Sequence, residues 1–259
     1  MKEFYHKYLR PSIKHNPGFR EVLVFVAFLV FYKISRYAAI GGKELAFANA
    51  MAVIEFEKML GIFYEVQIQQ FFLDKSVFIK GLNEFYMRLH LPTSIIFFVW
   101  LYHRRRNYYF YIRNGFLLAN VITLFFFMGF PCAPPRMLND IGFVDTLKDV
   151  SGINLYKGVL SKLFNQYAAV PSMHFGNALL IALVTFLLHK STWLRFSIII
   201  YPLLVLFVIV VTGNHFFIDA VLGGIVVLIP YPVMNLIERI FPTWTKVMRG
   251  PVLKAFRSS

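Results

Sequence analysis

Apolar and polar positions fall along this chain in long blocks. Six apolar blocks stand out: Glu21–Ile40, Leu82–Tyr102, Tyr108–Phe130, Pro171–Leu188, Trp193–Val211 and His215–Ile237. Each approaches or reaches the ~20 residues that a helix needs to cross a bilayer. Residues 43–75 follow another rule. Glu44–Lys58 mixes apolar and charged residues at helical spacing, Leu60-Gly61-Ile62-Phe63 breaks it, and Tyr64–Phe72 resumes an amphipathic pattern. Neither piece reads as a full span. Both read as helices lying on the membrane or against a bundle. Clear punctuation separates the blocks: Gly41-Gly42, His103-Arg104-Arg105-Arg106, a polar loop over 131–168, and Thr212-Gly213-Asn214. The pattern predicts an all-α polytopic membrane protein with six transmembrane helices plus one or two interfacial amphipathic helices. One catalytic domain would occupy 21–240, with the amphipathic insert at 43–75 and the outer loop at 131–168. Basic cytoplasmic segments would flank it at 1–20 and 241–259.

Composition sharpens this class. The chain is 58% hydrophobic and only 15% charged, against about 25% charged in soluble domains. Thirty Phe in 259 residues are hard to bury in one soluble core, and lipid accepts them. The net charge of +14 sits at block ends, which speaks for membrane topology and anionic lipid and against nucleic acid. The N-terminal segment, Arg104–Arg106, Lys190, Arg195 and the tail place more basic residues on one side than Lys43, Lys58, Lys75, Lys80, Arg136, Lys148, Lys157 and Lys162 place on the other. The positive-inside rule then puts both termini in the cytoplasm and the 131–168 loop outside, at the cell membrane. No cleavable leader is evident, since the first apolar block is long enough to stay as an anchor. Cys132 stands alone, so no intrachain disulfide forms, and it reads as structural.

Three polar clusters fall at that outer face: Ala133-Pro134-Pro135-Arg136, Ala169-Val170-Pro171-Ser172-Met173-His174 and Asn214-His215-x-x-x-Asp219. The last two are expected to open helices, with Pro171 at a first helical position. Free N–H groups and the positive end of the dipole would then attract phosphate. His215 and Asp219, four apart, would stack on one helix face, and the carboxylate would fix the ring tautomer. Arg136 can grip a phosphate with two parallel hydrogen bonds. The second block adds Asn83, Glu84, Tyr86, Arg88 and His90, with Tyr86 and His90 on one face and Pro92 permitting a kink. Metal binding is the rival use of two His and one Asp, but only His215 and Asp219 share a helix. A Ser-His-Asp hydrolase built on Ser172 is disfavoured, because Ser172 and His174 are two apart and point different ways. A non-enzymatic transporter or scaffold would instead place its polar residues at span midpoints.

These motifs resemble a known family. Pro171-Ser172-x-His174, followed on a later span by His215-x-x-x-Asp219, looks like the signature of the type-2 phosphatidic acid phosphatase superfamily of six-span membrane enzymes. Phe130-Pro131-Cys132-Ala133-Pro134-Pro135, Gly213–Asp219 and Tyr86-x-x-x-His90-Leu91-Pro92 look most like its inositol phosphorylceramide synthase branch. The resemblance covers about residues 80–230. It implies that His215 attacks phosphorus to form a phosphohistidine and that Asp219 orients it. It implies that His174 serves as acid and then base, while Arg136, Ser172 and Asn214 bind substrate. It implies no metal and no other cofactor, and substrates among phospholipids or other lipid phosphates of the membrane. The acceptor stays open between a lipid hydroxyl (transferase) and water (phosphatase), as do oligomeric state and any partner subunit. Two cations of the superfamily's phosphatase pattern are missing: its lysine position is Gly129 and its second arginine position is Ile209. That departure resembles the phosphotransferase branch.

Overall fold

The computed structural model of the protein describes residues 17–38, 42–155 and 165–240. The segments 1–16 and 241–259, Lys157 and Lys162 of the outer loop, and the side chain of His90 lie outside the described residues. The helices are α1 (Pro17–Ala38), α2 (Lys43–Met59), α3 (Glu65–Phe72), α4 (Ser76–Glu84), a π-helical turn (Phe85–Leu89), α5 (His90–Arg104) and α6 (Arg106–Gly129). After two 3-10 turns (Pro135–Met137 and Asn139–Ile141) come α7 (Thr146–Asp149), α8 (Met173–Leu188), α9 (Thr192–Ser197), α10 (Ile200–Val211), α11 (Phe217–Leu228) and α12 (Pro230–Ile240). Among the described residues the only β feature is an isolated bridge between Cys132 and Ala168.

Among the described residues, three stretches are long and apolar enough to cross a membrane: Arg106–Gly129, Thr192–Val211 and Phe217–Ile237. They expose large apolar side chains such as Phe125, Trp193, Ile200, Leu203 and Val221, which suits contact with lipid. The other expected spans take different forms. Helix α8 has 16 residues, about 24 Å at 1.5 Å per residue. It packs among α5, α6, α10 and α11, and Gly176, Asn177, Ala178, Ala182 and Thr185 are among its buried residues. Small residues let neighbouring backbones close in on all sides. The expected span over 82–102 is instead α4, the π turn and α5 end to end. The cause is legible at Pro92, which has no N–H for the Arg88 carbonyl and whose ring crowds it. The chain relieves that crowding with a wider turn just upstream.

The segment at 43–75 forms two helices with a break at Gly61, whose φ of +70° suits a residue without a side chain. Ala46, Ala50, Val53 and Ile54 of α2 pack in one core with Cys132, Ala133, Phe143, Val170 and Phe216. The 131–155 segment is therefore fastened down. The Ala133 N–H donates to Ala46 O (3.0 Å) and Asn49 Nδ2 to Pro131 O (2.8 Å). The Cys132 N–H donates to Tyr167 O (2.8 Å), pinning one motif segment to the next. A second core, with Phe97, Leu101, Ile112, Ile181, Val184 and Val227, fills the bundle.

Two arginines are engaged toward the other end of α8. Arg105 donates through Nε and Nη2 to Leu188 O (3.0 and 2.9 Å). Arg113 forms a buried ion pair with Glu21 of α1, which also accepts from the Tyr109 hydroxyl (3.1 Å). Arg88 pairs with Glu84 on an exposed face.

Candidate active site

Helices α8 and α11 cross where both lack side chains. A Cβ added at Gly176 would lie 2.6 Å from Gly223 O, and one at Gly223 would lie 2.1 Å from Ser172 O. Only glycines permit this approach. It brings the first turn of α8 against the first turn of α11, and with them His174 and His215.

His215 lies just before α11 rather than within it. Gly213, at φ +67°, ends α10, and the N–H groups of Asn214 and His215 both donate to Ile209 O (2.8 and 3.2 Å). Helix α11 then starts at Phe217, with Phe216 as its N-cap. Asp219 turns back to accept from the Phe216 N–H (2.9 Å), and the same Oδ2 lies 3.4 Å from His215 Nδ1. The pair meets through a capping turn, not by stacking on one helix face as the spacing alone predicts. His215 Nδ1 also lies 2.9 Å from Ala169 O. Two acceptors on Nδ1 place the ring proton there and leave the Nε2 lone pair free.

The expectation that helix-start N–H groups face a phosphate fails at α11, because carboxylates occupy them. Glu65 Oε1 accepts from the Phe217 N–H (2.9 Å) and Glu57 Oε1 from the Ile218 N–H (2.8 Å). These two side chains come from α3 and α2, and both are fully buried. Burial, the Glu65 carboxyl beside it and the nearby Asp219 push the Glu57 carboxyl up to about 9. Glu57 thus keeps its proton at neutral pH. At α8 the helix begins at Met173 with Ser172 as N-cap, so Pro171 precedes the cap instead of opening the helix.

Arg136 is nine-tenths buried. Its N–H donates to Gly213 O (2.7 Å), and its Nη1 donates to Asn214 Oδ1. Asn214 is held in turn by donating from Nδ2 to Thr212 Oγ1 (2.7 Å). Gln69 of α3 fastens the same turn to the outer loop, donating to Val144 O (3.1 Å) while its Oε1 accepts from the Val144 N–H (2.8 Å).

A cavity of about 130 Å³ opens between these groups, and Arg136, His174, Asn214, His215 and Tyr86 line it. The two imidazole centroids lie 5.8 Å apart, with the ring planes tilted by 52°. Asp219 sits behind His215, away from the wall. Ser172 is off the wall too: it is fully buried, its N–H donates to Asp219 O (2.9 Å), and its hydroxyl has no partner. Ile209 is fully buried in an apolar cluster. Arg113 and Arg88 are committed to Glu21 and Glu84. Among the described residues, no three His, Cys, Asp or Glu side chains group as a metal ion requires. Cys132 is fully buried, and burial with the nearby Asp219 pushes its thiol up, which keeps it inert.

Sequence reasoning missed Glu57, Glu65 and Gln69. They look like the wet face of an amphipathic segment. The available signal was the 65/69 spacing, which puts two polar side chains on one face.

A family model described as the PAP2 superfamily matches residues 51–233, more than half of the chain. No curated protein and no solved structure matches it.

Proposed function

The chain belongs to the PAP2 superfamily, and from that premise we propose that it is a membrane-embedded lipid phosphotransferase. It would move a phosphate-linked polar headgroup from one lipid to another through a phosphohistidine, as in the inositol phosphorylceramide synthase branch. Membership itself suggests phosphatase or phosphotransferase chemistry on lipids. The observation that carries the reading is the pair of imidazoles across one cavity, one of them backed by a buried carboxylate.

The steps follow from the atoms. His215 Nε2, with Nδ1 held by Ala169 O and Asp219, attacks phosphorus. An N–P bond forms as the P–O bond to the departing lipid breaks, and His174 gives that oxygen its proton. Asp219 balances the positive charge on the ring. An acceptor hydroxyl then attacks phosphorus, His174 takes its proton, and the N–P bond breaks to restore His215. Arg136, steadied by Asn214, meets the phosphoryl oxygens. No metal or other cofactor enters the scheme.

The buried Ile209 and the open end of α6 at Gly129 support transfer over plain hydrolysis, since the phosphatase pattern has cations there. We place the site at the outer face of a six-span domain over 21–240, with basic cytoplasmic segments at 1–20 and 241–259. Arg105 on the Leu188 carbonyl, at the far end of α8, in a run of three arginines supports that orientation. Phospholipid donors and lipid-hydroxyl acceptors are the partners.

The test is reconstitution in vesicles containing an isotope-labelled phospholipid and a lipid alcohol, read by mass spectrometry. A new labelled lipid should appear together with an equal amount of dephosphorylated donor, and His215→Ala should abolish both. Free headgroup phosphate with no new lipid would sink transfer. Undiminished turnover by His215→Ala would remove the nucleophile assignment.

A further inference from the structure

Tyr86 has no role in the steps above, yet it touches both histidines. Its ring lies parallel over His174, with centroids 4.3 Å apart and planes 27° apart. The same ring meets His215 edge-on at 6.5 Å and 61°. It also forms part of the cavity wall. The backbone that presents it is the π-helical turn at Phe85–Leu89. A π turn holds one more residue than an α turn, so it rotates the preceding side chains by roughly 100° relative to those after it. Such turns are rare and recur at functional sites. Here the crowding at Pro92 supplies the cause, and Tyr86 over His174 is the result.

An imidazole on a cavity wall can turn about its Cβ–Cγ bond, and each rotation aims its nitrogens elsewhere. A flat ring stacked on one face restricts that motion at little entropic cost. When His174 carries its proton, the electron-rich face of the tyrosine also meets a cation. Proton delivery to a departing oxygen requires hydrogen-bond reach and aim.

We infer that Tyr86 is a positioning residue acting through His174, its ring holding the imidazole in the orientation that protonates the departing lipid oxygen. This rests on the phosphotransfer reading above. It assigns the work to the stacked ring face.

The test uses full-length protein in vesicles and three variants: Tyr86→Phe, Tyr86→Leu and His215→Ala. Two donors are compared. One is a phospholipid, whose departing alkoxide needs a proton. The other is an alkyl p-nitrophenyl phosphodiester, whose nitrophenolate leaves without one, followed as the single-turnover burst. Tyr86→Leu should lower kcat on the phospholipid roughly ten- to a hundredfold with KM changed less than about threefold. On the nitrophenyl ester its burst should stay within about threefold of the native rate, because no acid is needed there. Tyr86→Phe should retain native rates on both. The inference is overturned if Tyr86→Leu is equally slow on both donors, if it matches the native rate on the phospholipid, or if Tyr86→Phe is as slow as Tyr86→Leu. His215→Ala separates the two readings. If it is dead while Tyr86→Leu is fully active, only the role of Tyr86 falls. If it is active, the phosphohistidine scheme falls first.

Discussion

Gly223→Ala tests whether the glycine crossing of α8 and α11 sets the distance between the catalytic groups. The added Cβ would start 2.1 Å from Ser172 O, 2.9 Å from Ser172 C and 3.3 Å from Ser172 N. All three are backbone atoms, so no side chain can swing away. Reaching the 3.4 Å of ordinary contact requires the helices to part by about 1.3 Å. Ser172 is two residues before His174, and Gly223 is one helical turn after Asp219. The displacement therefore enters the 5.8 Å gap between the imidazoles almost undiminished. Overpacking of this kind costs about 1–3 kcal/mol, or roughly 2–12 °C in Tm for a chain of this size. Misplacing catalytic groups by ~1 Å costs on the order of a hundredfold in rate. The variant should thus lose far more kcat than its modest loss of Tm explains. Gly224→Ala is the control. Its Cβ would meet Leu179 Cδ2 at 3.1 Å, the movable end of a side chain, and its rate should stay within about twofold. The measurement is headgroup transfer in vesicles alongside a melt in detergent. A Gly223→Ala protein with native kcat and native Tm would refute the reasoning.

Two further outcomes follow from buried polar groups. Arg136→Lys keeps the charge but loses the planar fork, so kcat/KM should fall roughly ten- to a hundredfold with little change in Tm; a native kcat/KM would show that charge alone suffices. Glu57 is an acid whose pKa is raised from 4.5 to about 9, so the folded chain holds a proton that the unfolded chain releases. Stability from this group is full below about pH 4.5 and falls as pH rises toward about 9. Glu57→Gln keeps an acceptor for the Ile218 N–H and should flatten the decline of Tm between pH 6 and 9; an unchanged slope would remove the proton assigned to Glu57.

How far the sequence disclosed this site depends on the kind of signal each residue sends. His174, His215 and Arg136 were legible because their motifs are local and polar in an apolar chain, and the structure brings all three to one cavity. Asp219 was legible for an imperfect reason: the spacing suggested helical stacking, whereas a capping turn makes the contact. Ser172 was placed among phosphate ligands, yet it is wedged beneath the helix crossing. Glu57 and Glu65 were invisible, because their partners are backbone N–H groups about 150 residues away, and no periodicity reports a long-range cap. The two amphipathic helices were found by periodicity, but it could not tell that their polar face is buried against α11. The spans were blurred for a related reason. Hydropathy sees apolar length, while α8 is short and largely packed against neighbouring helices and the α4–α5 stretch is interrupted by a π turn.

The carboxylates on the first turn of α11 also set a charge balance for whatever enters the cavity. They silence the partial positive charge of that helix end, and their own proton keeps them from adding two full negative charges. Among the described residues, Arg136 is then the one permanent cation on the cavity wall. A phosphate diester carries a single negative charge, which one guanidinium balances. A phosphate monoester carries close to two at neutral pH, and its second charge would face no further fixed cation among the described residues of the wall. On the proposed phosphotransfer reading, that described wall matches one guanidinium to one negative charge, the valence of a phosphate esterified on two sides.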